Sequence, residues 1–211
     1  MNYKKLTTGI TVAWFIFALS GSALHLFKNN ANRIGLTVAI AALTPIIAFS
    51  LWYAASAGFR QFALSLDPRS LTSAQAWRII GFTFVLLEAR GILPAVFAWP
   101  AGYGDMAIGA TAAFVAWKLA DPAHRNSFIL WQLLGILDLV IAVSVGTTAA
   151  WISPQGPPMV PMTVLPLSLI PTFLVPLFLI FHVISIAQAR IWKISSLRTH
   201  QTPTWLKQAA I

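Results

Sequence analysis

The chain contains no cysteine and only five acidic residues among 211. The first absence excludes disulfides, thiolate metal sites, cysteine nucleophiles and palmitoylation on this chain, and says little about compartment. The second accompanies a charged fraction of 9%, against about 25% in an ordinary soluble domain. Hydrophobic residues make up 58% and the mean hydropathy is +0.76. No polar stretch is long enough to form a separate soluble domain, so residues 1–211 read as one membrane domain. Enzyme signatures are missing too. H-E-x-x-H, G-x-S-x-G and a phosphate-cradling glycine loop do not occur, nor do aspartates at metal-binding spacing. No cofactor or metal is implied, and the reading leans away from an enzyme.

What is present is a series of apolar segments. Six are long enough to span a bilayer, which takes ~20 helical residues: 8–27, 35–55, 77–98, 101–120, 127–149 and 163–187. Tryptophans mark many of their ends, among them Trp52, Trp77, Trp99, Trp117, Trp131 and Trp151, as amphipathic rings do at headgroup level. The expected fold is all-α, a polytopic bundle of six transmembrane helices. The first segment, preceded by Lys4 and Lys5, reads as a retained helix rather than a cleaved signal. With the N-terminus inside, eleven lysines and arginines, Arg78 counted among them, fall on the inner side. Lys28 and Arg33 fall outside, and Arg90 within the membrane. This asymmetry puts both termini in the cytoplasm. The formal charge of +9 therefore points to anionic headgroups at the cytoplasmic face rather than to nucleic acid. The 56–76 connection and the 190–207 tail, both basic and aromatic, read as anchors on that face. Thr72 and Gln75 form a capping-box pattern before the third helix.

Three of the five acids, Glu88, Asp105 and Asp138, lie within the apolar segments together with Arg90. A charge near the bilayer centre costs at least ~2.5–3.5 kcal/mol, so such residues mark a site by default. Glu88 and Arg90 point to different helix faces and cannot pair well. A hairpin turning at 97–98 would set Arg90 opposite Asp105, with Gly102 and Gly104 letting the backbones approach. Glu88 lies ~16 Å and Asp138 ~10 Å along parallel-running helices from the inner interface, within side-chain reach if the helices touch. Two close carboxylates cannot both ionise cheaply, so a shared proton or a bound cation is expected there.

A weak repeat supports this placement. Gly102, Asp105, Gly109 and Ala113 match Gly135, Asp138, Ala142 and Gly146 at an offset of 33. Each set lies on one helix face as a small-residue stripe carrying one acid. Repeats of opposite topology frame binding sites in transporters. His182, near the inner end of the last helix, could join a proton path, although an interfacial snorkelling histidine is the commoner explanation. Prolines 161, 166, 171 and 176 predict either a kinked last helix or a short one starting after Pro171 or Pro176.

The segment RGILPAVFAWPAGYGDMAIG (90–109), followed by LLGILDLVIAVSVG (133–146), resembles a family of bacterial multi-pass inner-membrane proteins of unknown function. Its comparable elements are an arginine, a Pro-Ala-Gly-x-Gly-Asp turn and a Leu-Gly-x-x-Asp helix. The likeness covers helices three to five and implies the bacterial inner membrane, with Arg90, Asp105 and Asp138 in a shared pattern. The leading expectation is small-solute or ion translocation with a proton-coupled option, Arg90 and Asp105 forming a fixed pair and Glu88 and Asp138 being the titrating or ligand-binding acids. The alternatives are a non-catalytic accessory or assembly subunit, with a membrane-protein partner or a second copy beside it, and an intramembrane lipid-modifying enzyme.

Overall fold

The structure is a computed structural model that describes residues 2–28 and 36–192. The 190–207 tail lies almost wholly outside the described residues. Those residues fold into helices with no strand among them. Helix α1 (Tyr3–Ala23) begins at Asn2, whose side chain accepts from Lys5 N. It stops four residues short of the expected end because His25 takes a left-handed φ of 58°. His25 N–H and Leu26 N–H then donate back to Ser22 O and Gly21 O, closing the last turn.

Helix α2 (Leu36–Ala55) runs through Pro45. The connection after it is not a mere surface strip. Ser56 caps α3 (Ala57–Leu64), and Phe59 is buried, stacked on Trp52 with ring centroids 3.9 Å apart. Asp67 caps α4 (Pro68–Ser73), accepting from Arg69 N, Ser70 N and Ser70 Oγ, with Pro68 in the first turn where its missing N–H costs nothing. The Thr72–Gln75 capping box does not form. Both side chains turn inward instead, Gln75 donating to Phe178 O at 3.2 Å and Thr72 accepting from Gln132.

α4 continues without a break into a 3-10 segment (Ala74–Gly81) and then α5 (Phe82–Ala89). These form one rod over 68–89, ~37 Å long from rises of 1.5 and 2.0 Å per residue. The expected third helix at 77–98 is thus displaced nine residues toward the N-terminus. The cause is Gly91. Its φ of +68° ends the rod, with Gly91 N–H donating to Glu88 O and Ile92 N–H to Leu87 O. Pro94 then caps α6 (Ala95–Lys118). Pro100, expected in the turn, lies inside α6, and so does the whole Pro-Ala-Gly-x-Gly-Asp element. The hairpin turns near residue 92, not at 97–98.

Asp121 caps a 3-10 turn (Pro122–His124) that leads into α7 (Arg125–Ile152). The prolines after it yield the short form of the last helix. A π-helical turn at Ile170–Leu174 precedes α8 (Val175–Ile191). Among the described residues four stretches are long and apolar enough to cross a membrane: α1, α2, α7 with its leading turn, and α8 with its π turn.

Several large polar side chains are buried here while many large apolar ones are exposed. Arg78, His182, Gln75 and Gln132 are among the largest fully buried side chains, whereas Leu43, Ile47, Leu51 and Leu137 are exposed. Water as the only neighbour would select the opposite distribution. A hydrocarbon surround permits this one, since polar groups must find partners inside. α1 and α2 flank an apolar groove of about 1080 Å³ closed on its third side by α8.

Two outcomes follow from these termini. Gly91→Ala should lower stability by about 1 kcal/mol, because alanine is strained at positive φ, read as a lower unfolding midpoint in detergent. The Ser70 hydroxyl, with the Ser70 and Arg69 backbone N–H groups, holds the Asp67 carboxyl below its ordinary 3.8. A lowered pKa stabilises above the unfolded value and stops doing so as pH falls through the folded one. Asp67→Asn should therefore cost a fraction of a kcal/mol, about the lower end for a cap, at pH 7 and nothing near pH 2, compared by unfolding midpoints.

Candidate functional site

The 3-10 segment turns once every three residues, so Gln75 and Arg78 share one face of the rod, and Thr72, one turn earlier at the end of α4, also turns inward. That face meets α6, α7 and α8. Arg78 is 2% exposed, and four of its five N–H groups find acceptors there. Nε donates to Asp105 Oδ1 of α6 at 2.6 Å. Nη2 donates to Asp138 Oδ2 of α7. Nη1 donates to Gly135 O of α7 at 3.3 Å and meets His182 Nε2 of α8 at 3.2 Å. One guanidinium thus ties four elements together.

The chain of contacts continues past Arg78. His182 Nδ1 bonds Gln132 Oε1, and Gln132 Nε2 donates to Thr72 Oγ1 at 3.1 Å. Because the Gln132 amide nitrogen is committed to Thr72, its oxygen must accept from His182. The ring is then a Nδ1–H imidazole whose Nε2 accepts from Arg78. Trp131 backs the ring, with centroids 5.8 Å apart, and its indole donates to Thr111 Oγ1 at 2.9 Å.

Glycines make room for these groups. A Cβ at Gly104 would overlap the Asp138 carboxylate, and one at Gly135 would overlap the His182 ring. A Cβ at Gly81 would strike Asp105, and one at Gly109 would strike the backbone of Ile79 and Arg78. Gly102 meets Gly81 O and Val85. Gly146 is buried in α7. The two small-residue stripes therefore do not simply face each other: that of α6 meets the 3-10 segment, and Gly135 of α7 meets α8. Ala113, the fourth member of the α6 stripe, is exposed.

Of the residues expected at the site, the structure brings together Asp105, Asp138 and His182 and leaves out Glu88 and Arg90. Asp105 pairs with Arg78, not with Arg90. Arg90 caps the end of α5 and is exposed, with no ion pair among the described residues. Glu88 accepts from Trp99 Nε1 at 3.1 Å beside the turn and does not meet Asp138. Both corrections have one cause. Placing the turn near residue 92 puts Gly81, rather than Arg90, opposite Asp105. His182 is buried in the network rather than snorkelling at an interface.

Sequence reasoning missed Arg78, Gln132 and Thr72. Arg78 stands beside Trp77 at the start of an apolar segment and counts among the inner-side basic residues. The signal that could have found it is the triplet spacing Thr72, Gln75, Arg78, matched by Gln132, Gly135, Asp138 and by His182, Ser185, Gln188.

The chain is thus an all-helical protein with membrane-compatible helices around a buried Arg–Asp–Asp–His cluster. Residues 33–190 match the family model described as Domain of unknown function (DUF8737), and the chain belongs to that family. The match takes in every residue of the cluster and omits α1. No curated protein and no solved structure matches the chain.

Removing the guanidinium leaves two carboxylates facing each other in the core. Arg78→Leu should destabilise by about 3–5 kcal/mol, and adding Asp105→Asn with Asp138→Asn should restore much of the loss. Arg90→Gln and Glu88→Gln should each stay within about 0.5 kcal/mol of the parent. Unfolding midpoints in detergent compare all of them.

Proposed function

We propose that the protein is a membrane translocator of a small solute or ion, with the Arg78–Asp105–Asp138 cluster as the group that takes up and releases a proton or cation. The supporting observation is a charge count. One guanidinium faces two carboxylates, and the imidazole beside them is held as an acceptor toward Arg78. One negative charge is left over in a region where charge is expensive. A single proton or monovalent cation brings the cluster to neutrality, and its release restores the charge.

In this reading six rods cross a bacterial inner membrane: α1, α2, the rod over 68–89, α6, α7 and α8. Arg78 lies ~19 Å along its ~37 Å rod, near the bilayer middle. Moving Arg78 from the inner count to the membrane, and Arg90 to the outer turn, leaves ten basic residues inside against three outside. Both termini remain cytoplasmic. Bacterial origin rests on the resemblance of the 90–109 and 133–146 segments.

A second reading has its own support. Arg78 is nearly saturated with acceptors, and glycines fit closely around its partners. A structural lock in an accessory subunit would look the same. Proteoliposomes separate the two. Translocation predicts substrate-dependent or proton-dependent flux that Asp138→Asn reduces at least ~10-fold, about 1.36 kcal/mol in barrier, while Glu88→Gln leaves it intact. A well-folded protein that carries no flux, and in which Asp138→Asn alters only stability or partner retention, would overturn the transport reading.

A further inference from the structure

Beyond His182 the polar surface does not end. Three aligned triplets run side by side: Thr72, Gln75 and Arg78 on the rod, Gln132, Gly135 and Asp138 on α7, and His182, Ser185 and Gln188 on α8. Every one of them is buried except Asp138, which is partly so. Gln188 marks where the seam reaches the surface. Its amide nitrogen fans onto Leu64 O at 3.2 Å and Leu66 O at 2.6 Å, at the α3–α4 connection whose Ser65 and Asp67 are exposed. Along this seam three buried polar atoms have no partner among the described residues: Gln75 Oε1, Ser185 Oγ and Gln188 Oε1.

Orphaned polar atoms inside a hydrocarbon-surrounded bundle are costly. They are tolerated where each can bond water, and a buried water needs 2–4 polar partners. Ser185 and Gln188 lie one turn apart on α8, and Thr72 and Gln75 one turn apart on the rod, so such partners recur along both elements. From these observations we propose that the seam holds a file of buried water molecules forming a proton route between the carboxylate cluster and the α3–α4 connection. The route rests on the translocation reading in the form in which the cluster carries a proton rather than a cation. A proton leaving a carboxyl group passes to the first water, which releases one of its own protons to the next. Each water is regenerated, and the net change is one carboxylate inside and one proton at the exit.

The test is infrared difference spectroscopy of the full-length protein in liposomes on transfer to D₂O. The parent should show a carboxylic C=O band, lost in Asp138→Asn or Asp105→Asn, that shifts as deuterium enters. Ser185→Ala, which keeps the helix and nearly the volume, and Gln188→Leu should each slow that shift at least ~10-fold, about 1.36 kcal/mol in barrier. Circular dichroism confirms that both variants are folded. If the band is present and exchanges at the parental rate in both folded variants, the route is wrong while the protonated cluster stands. If no such band exists, the shared proton fails and the route fails with it.

Discussion

A guanidinium held between two carboxylates away from water organises this protein. Taking Arg78 out of solvent costs several kcal/mol, recovered only with near-complete hydrogen bonding. That requirement fixes the positions of α6, α7 and α8 around the rod, because each contributes an acceptor. The glycines follow from it as well. Asp138 and His182 can reach Arg78 only where the neighbouring helix has no side chain, at Gly104 and Gly135.

Much of the fold was legible in composition and pattern. Four of the apolar segments correspond to helices long and apolar enough, among the described residues, to cross a membrane, and three of the five residues expected at the site, Asp105, Asp138 and His182, converge in one place. The register of the third and fourth helices was not legible, because two turn signals compete within fifteen residues. Trp99-Pro100 looks the stronger, yet α6 runs through Pro100 while Gly91 reaches a left-handed φ without steric cost. A turn misplaced by a few residues moves the facing partner by twice that number, and so Arg90 was expected where Gly81 stands. Arg78 was hidden for a different reason. Hydropathy treats an arginine beside tryptophan as an anchor, and only three-residue periodicity, which helix-based reading does not seek, shows it facing inward.

The same cluster ties the helices together and, in the translocation reading, also does the chemistry. Opposing charges bind the helices, while the unequal count leaves a negative charge that a proton or cation can answer. Where these demands meet, substitutions of the two aspartates will not resemble each other in every assay. Asp105 engages Nε and Asp138 engages Nη2, so each removes a different edge of the same planar group.

The tight winding at Ala74–Gly81 carries a mechanical implication. A 3-10 helix advances ~120° per residue and an α-helix ~100°. Rewinding the four steps from Ala74 to Arg78 would swing the guanidinium through ~80° and draw it ~2 Å along the axis. Both carboxylates would lose their cation together. A torsional catch of this kind links the pitch of one helix to the exposure of two charges on its neighbours.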